Sequence, residues 1–402
     1  MAVTRYLTHW ALGALFSSTL AISATASDDL PHQPVDFVLA LEQYLVEEIM
    51  PHIPGAALAV IADGQIELLD GYGVRRAGGS EPVDRNTVFR LASVSKTIAG
   101  TAAGIAVHDG DLQWQTPVSQ YLPLEFKNPD YGERITLQSL LSHTTGLMPQ
   151  AYTNLIEANI PYQRVVERIR EVDFICPPES CYSYQNVAFS LVGDLLLVAT
   201  GETYESYTER RLFQPLGMNN ASFGWRAFTD QSNRATPHIR VRGRWHPIEP
   251  SPNYYNVAPA AGANASIADM AQWVIAQLGQ RPGVLPREVL DQVQNPVVAT
   301  SFRQAHYRAH PKLRNIYYGL GWRIFDFGEH RQFVHHGGWV QGTRTEVIFN
   351  RERQIGLVFL SNSENRYARE VVYRFLELYD DYHQQIEVPL MLQKARQAPD
   401  AY

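Results

Sequence analysis

Ser93 and Lys96 stand three residues apart in Ser93-Val94-Ser95-Lys96. On a helix that spacing puts a hydroxyl and an amine on one face, where the amine can take the hydroxyl's proton and leave a nucleophile. The flanking residues supply such a helix. Val88 to Ala92 is short, extended and apolar, and Thr97 to Ala106 is a run of small residues suited to a tightly packed, buried helix. A nucleophile at the start of that helix meets free N–H groups and the positive end of the dipole, both favourable to developing negative charge. Lysine is scarce in this chain: of Lys96, Lys127, Lys312 and Lys394, only Lys96 has a serine three residues before it.

A serine–lysine pair also needs a proton for the leaving group and donors for the oxyanion. Tyr184-Gln185-Asn186 stands just ahead of an apolar helix over 187–199. There a phenol can shuttle protons and an amide can orient substrate, or Asn186 can cap the helix and Tyr184 pack as an aromatic. His336-Gly337-Gly338 lies on a late strand. Its glycines let a substrate backbone approach the strand edge, or they mark the end of a hairpin.

These groups must be positioned by a scaffold. Apolar positions recur with a helical period over 35–50. Ala56–Ala62 and Gln65–Tyr72 read as strands joined by Asp63-Gly64, a hairpin turn. Helices are expected over 136–141, 162–172, 188–199 and 204–212, and Ser266 to Asp269 reads as the capped start of another through Leu278. Strands return over 319–325, 333–336, 343–349 and 355–361, and a last helix covers 370–382. Strands at both ends with helices between give an α/β (α+β) fold. One antiparallel sheet is built from the N- and C-terminal segments, flanked by helices, with a mainly helical region inserted. The expected division is 35–92 plus 315–385 for the sheet domain, 93–314 for the helical region with the nucleophile helix, and 386–402 for a tail.

The chain has 402 residues, is 45% hydrophobic and 19% charged, and carries a net charge of −7. With no basic run or aromatic-basic stripe, nucleic acid is not the expected partner. Arg5 and His9 precede an apolar stretch from Trp10 to Ala24, and Ala24-Thr25-Ala26 is a small-x-small cleavage site. Residues 1–26 thus read as a secretory signal peptide, with a periplasmic or secreted mature chain that has no stable membrane insertion. Cys176 and Cys181 are the only cysteines. They suit a short disulfide loop in an exported protein, or two free thiols; alone they make a poor zinc site. No metal or cofactor is implied by any motif.

Taken together and in order, the three motifs resemble those of the penicillin-recognising serine hydrolases: class C β-lactamases, low-molecular-weight D-Ala-D-Ala peptidases and their esterase relatives. Ser93 and Lys96 match the family's Ser-x-x-Lys, Tyr184 and Asn186 its Tyr-x-Asn, and His336 and Gly338 its Lys-Thr-Gly or His-x-Gly. The segments Phe89–Lys96, His143–Leu147, Gln214–Met218, Ala261–Ala271, Gly319–Trp322 and Leu360–Asn362 are also similar, so the likeness runs over roughly 37–380.

The resemblance implies residue roles. Ser93 is the acylated nucleophile, Lys96 its base and Tyr184 the proton relay. Asn186 binds a substrate amide, and His336 completes the polar network. The N–H groups of Ser93 and Trp339 form the oxyanion hole, and Gln150 lines the cleft. His143 and His335 are read as packing residues.

One departure bears on substrate. Efficient class C enzymes begin the third motif with Lys and then Thr, where this chain has His336 and Gly337. A histidine mostly neutral at pH 7 grips an anion less well than a lysine. Arg344 can restore the charge, although a solvated strand arginine is the preferred reading. The expected function is an exported serine hydrolase acting through a Ser93 acyl-enzyme on an amide or ester, with weak β-lactam turnover. Its partner is a small-molecule or peptidoglycan-derived substrate: a β-lactam, a D-Ala-D-Ala peptide or a small ester. A non-hydrolytic penicillin or peptidoglycan sensor and a D-amino-acid amidase or transesterase are the alternatives.

Overall fold

Asp63 and Gly64 both have positive φ, 49° and 71°, the backbone that lets a two-residue turn follow the twist of its strands. They join β1 (Gly55–Ala62) to β2 (Gln65–Gly73) as the sequence predicts. The structure, a computed structural model, describes residues 35–301, 310–389 and 391. The expected signal peptide at 1–26 lies outside the described residues, as does the 386–402 tail apart from 386–389 and 391.

The remaining strands are β3 (Val88–Arg90), β4 (Ser222–Phe223), β5 (His238–Val241), β6 (Arg244–Pro247), β7 (Ala263–Ser266), β8 (Val298–Ala299), β9 (Leu313–Tyr318), β10 (Arg323–Phe327), β11 (His330–Val340), β12 (Thr343–Asn350) and β13 (Ile355–Ser361). Eight of them form one sheet in the order β2-β1-β13-β12-β11-β10-β9-β8. Neighbouring strands are antiparallel throughout. The two ends of the chain thus share a sheet, as expected.

Both faces of this sheet are covered, which is why β1 is buried at every position. Side chains alternate between two cores. Ala57, Ala59 and Ile61 face an apolar core continuous with the helices of the middle region, including Ser95–His108 and Asn186–Thr200. Ala56, Leu58 and Val60 face a second core, closed by helices Asp36–Tyr44 and Tyr367–Tyr382. Ser266 caps its helix as predicted, in a reciprocal box with Asp269.

Two expectations are corrected. The segment 319–325 is not one strand: β9 ends at Tyr318, and Gly319 to Trp322 turn the chain into β10. Gly321 has φ of 83°, and a Cβ there would collide with the Lys96 carbonyl, so the turn presses against helix Ser95–His108 at closest approach. β3 does not join the large sheet; it pairs with β7, which also pairs with β4. The middle region also holds the β5–β6 hairpin. Strands of two to four residues are too short for an alternation to show in sequence.

Candidate active site

β3 delivers the chain to Ala92, whose φ of 49° is unusual for a residue with a Cβ. The turn places Ser93 just ahead of helix Ser95–His108, and Ser95 ties that helix to β7 by accepting the Ala263 N–H at 3.0 Å. Gly338 of β11 packs directly on the turn. A Cβ there would collide with the Leu91 carbonyl and the Thr345 hydroxyl, and that hydroxyl donates to the same carbonyl at 2.9 Å. The glycine is therefore what lets β11 lie against the serine.

Lys96 is wholly buried one turn along. Its Nζ lies 2.8 Å from Asn186 Oδ1, 2.9 Å from the Ala260 carbonyl and 3.4 Å from Ser93 Oγ. The ring faces of Tyr184 and Phe189 lie 4.7 and 5.3 Å away. Burial, followed by the charge of Arg323, holds its pKa well below the usual lysine value.

Tyr184 donates its hydroxyl to Ser93 Oγ at 3.0 Å, and burial pushes its own pKa up, so the phenol keeps its proton. Asn186 opens helix Asn186–Thr200, but the capping side chain is Gln185, which accepts from the N–H groups of Val187 and Ala188. Asn186 is thereby free to turn inward. Its Oδ1 meets Lys96, and its Nδ2 donates to Gln150 Oε1 at 3.4 Å. Gln150, which also donates its N–H to the Tyr184 carbonyl, is brought to the site. The Cys176–Cys181 pair is a disulfide and closes the loop that leads into Tyr182–Asn186.

His336 is buried. Its Nδ1–H donates to the Gly337 carbonyl at 2.9 Å, which leaves Nε2 to accept the Tyr318 hydroxyl at 3.1 Å. Burial, then Arg323 and Lys96, hold its pKa well below the usual histidine value, so it is neutral. β10 pairs with β11 only as far as His335, so over residues 336–340 β11 runs on past its neighbour. The Trp339 side chain is 45% exposed and points to the sheet face opposite His336. Arg344, its cross-strand partner, lies 5.7 Å over its ring. Arg344 is thus half-buried on the far face and adds no charge beside His336. His335, also on the far face, pairs with Glu346 at 2.8 Å.

Four contributors escape the motifs. Arg323 is buried, with its guanidinium 5.9 Å from the Tyr184 ring and 5.5 Å from the Tyr318 ring. A lone charge inside the apolar run Leu320 to Phe325 was its only signal in the sequence. His143, with φ of 58°, lies behind Tyr184 with ring centroids 4.2 Å apart and accepts the Gln185 N–H at 3.3 Å. Burial holds it neutral. Tyr318 and Gln185 carry no signal in sequence beyond their types.

The family model named Beta-lactamase matches residues 42–378, a span that includes every residue of this site. The chain belongs to the Beta-lactamase family. Among curated members it is 26% identical to the Escherichia coli beta-lactamase over 382 residues, which cover 87% of this chain and 95% of that one. It is also 26% identical to the unguisins hydrolase of Aspergillus violaceofuscus, over 77% of this chain and 58% of that one. Penicillin-binding protein 4 of Amycolatopsis lactamdurans is 31% identical over 42% of this chain and 45% of its own. The chain thus spans about half the length of the last two relatives. An octameric penicillin-binding protein homologue from Pyrococcus abyssi shares the fold, with a TM-score of 0.75 at 21% identity, over 87% of this chain and 77% of that one. This Beta-lactamase-family chain therefore has the mixed α/β architecture with the large antiparallel sheet that its sequence predicts.

Proposed function

We propose that the protein is an exported serine hydrolase that cleaves an amide or ester through an acyl-enzyme on Ser93. The observation that carries this reading is the hydrogen-bond set around Lys96. A neutral amine has two N–H donors and one lone pair. The Asn186 and Ala260 oxygens take the two donors, so the lone pair is left for the Ser93 hydroxyl. Its depressed pKa favours that neutral form.

The steps follow from the same geometry. Ser93 gives its proton to Lys96 while Oγ attacks the carbonyl carbon. Two carbonyl oxygens and two ring faces surround the ammonium that forms. The oxyanion is received by the N–H groups of Ser93 and Trp339, the latter on the stretch of β11 beyond β10. Tyr184, hydrogen-bonded to the same Oγ, protonates the leaving group and is restored by the Lys96 ammonium. Water then enters, and the relay runs in reverse to free the acid.

The substrate reading rests on charge. His336 is neutral and held by Tyr318, so the fixed cation near the site is Arg323. This favours a carboxylate-bearing peptide or ester, with β-lactam turnover slow. One relative's name gives unguisins as what it hydrolyses and another's gives penicillin as what it binds, which supports acyl chemistry without choosing the acyl group.

The test compares wild type with Ser93→Ala on p-nitrophenyl acetate, a fluorescent penicillin and a stem pentapeptide ending in D-Ala-D-Ala. Turnover of ester or peptide that vanishes in Ser93→Ala supports the reading. Full activity in Ser93→Ala, or nitrocefin turnover at ordinary β-lactamase rates, overturns its mechanism or its substrate part respectively.

A further inference from the structure

A cavity of about 450 Å³, lined by none of the candidate site residues, lies between the helix Arg287–Val293 and the sheet end formed by β11 and β12. That volume lies in the range of small-molecule sites. Its floor includes Leu285, Leu290 and Val334, each 1% exposed. Its rim carries Arg287, Arg331 and Arg351. Arg351 and Arg287 both reach Asp291, and Glu352 also lines the rim; Arg331 makes no ion pair among the described residues. An apolar floor under a cationic rim is complementary to an anion on an aliphatic tail.

A second, independent observation connects this cavity to the nucleophile helix. Gln332 at the rim donates to the Gln294 carbonyl at 3.2 Å. Gln294 donates to the Gln277 side-chain oxygen at 3.0 Å, and Gln277 to the Thr101 hydroxyl at 3.2 Å. Thr101 donates to the Thr97 carbonyl at 2.9 Å, and the Thr97 hydroxyl to the Val94 carbonyl at 2.8 Å. Gln294, Gln277, Thr101 and Thr97 are all buried, in a core where an unneeded polar side chain is costly. Val94 adjoins Ser93, so the chain of bonds ends at the catalytic turn.

We propose that the cavity binds a small anionic amphiphile, a carboxylate on an aliphatic chain, and that its occupancy is sensed through Gln294, Gln277 and Thr101 at the helix bearing Lys96. The ligand's carboxylate meets Arg331 and Arg287, and its tail lies over the leucine floor. Filling the cavity holds Gln332 and Gln294 in place, which steadies the bonds that run to Val94.

Calorimetric titration with decanoate, below its micellar range, tests the site. Saturable one-to-one binding is expected, equal in wild type and in Ser93→Ala, so the result does not depend on the proposed hydrolase activity. Decanol and acetate, which each keep half of the ligand, are expected to bind more weakly. The exposed double variant Arg287→Ala/Arg331→Ala is expected to weaken decanoate binding about tenfold. Absence of saturable binding, or undiminished binding by the double variant, overturns the site. Hydrogen exchange over residues 94–101 tests the coupling. Decanoate is expected to slow it in wild type but not in Gln277→Leu, where Gln294 keeps the Gln277 main-chain carbonyl as a partner. Binding with no change in that segment overturns the coupling.

Discussion

Asn186 holds Lys96 by a 2.8 Å hydrogen bond from Nζ to Oδ1. Burial and the charge of Arg323 lower the Lys96 pKa, and this contact does not oppose them, because an amide oxygen accepts from an amine without drawing a proton onto it. A carboxylate in the same place favours the ammonium. Asn186→Asp is therefore expected to raise the Lys96 pKa, to move the acid limb of the kcat/KM profile to higher pH, and to lower activity at neutral pH by about 10²-fold, the scale of a lost general base. A pH profile on p-nitrophenyl acetate checks this; an unmoved acid limb would mean that Lys96 is not the base.

The wild-type protein has its own pH signature. Lys96 loses its proton well below the ordinary lysine value in the folded state and near 10.5 when unfolded. Between those two pH values the unfolded chain binds more protons, so folding stability rises with pH through that window. Below the folded-state value the buried ammonium is a penalty. Lys96→Met removes this slope, so the difference in unfolding free energy between variant and wild type is expected to shrink or reverse as pH rises. Urea unfolding at several pH values measures it.

That Ser93, Lys96, Tyr184 and Asn186 come together was legible because each belongs to a short motif fixed by local backbone. Ser93 and Lys96 share a helix face, and Tyr184 and Asn186 flank a helix start. The sheet was legible where strands were long and the turn was Asp63-Gly64. What was not legible depends on distant packing. Arg323 becomes part of the site because the turn before it is pressed onto the nucleophile helix by Gly321. Asn186 faces Lys96 because Gln185, one residue earlier, takes over the cap. Arg344 does not stand beside His336, because it pairs across strands with Trp339, which the strand's alternation puts on the face opposite His336.

His336→Lys would supply the cation common to efficient class C enzymes, but here it enters a buried place already near Arg323 and Lys96. It also removes the hydrogen bond that the Tyr318 hydroxyl makes to His336. The variant is expected to lose stability on the order of 3 kcal/mol, as an unpaired buried charge does. If it remains folded, the added cation lowers the Lys96 pKa further and shifts the acid limb to lower pH. Thermal melting and the kcat/KM profile check the two effects, and a melting temperature equal to wild type would contradict the burial argument.

Gly338→Ala tests the packing of β11 on the catalytic turn. The added Cβ meets the Leu91 carbonyl and the Thr345 hydroxyl, neither of which can move without shifting the turn or the sheet. A displacement of Ser93 on the ångström scale is expected to cost about 10²-fold in kcat. The fold survives in the two large cores away from the turn, so near-wild-type far-ultraviolet circular dichroism with lost turnover is the expected pair of results.

The Cys176–Cys181 disulfide acts on the segment that positions Tyr184. Ser183 donates its N–H to the His143 carbonyl at 2.7 Å, and Gln150 donates to the Tyr184 carbonyl at 2.9 Å, so the loop after the bridge is pinned on both sides of the phenol. Closing so short a loop limits the unfolded chain by about 2 kcal/mol in the chain-entropy view. Cys176→Ser/Cys181→Ser is expected to lower unfolding stability by that order. The loop's hydrogen bonds remain in the folded state, so KM and kcat at moderate temperature are expected to change less than twofold, an order-of-magnitude bound for a change acting on the unfolded chain. Chemical denaturation beside steady-state kinetics separates the two. A large fall in kcat with unchanged stability would show instead that the bridge positions Tyr184 directly.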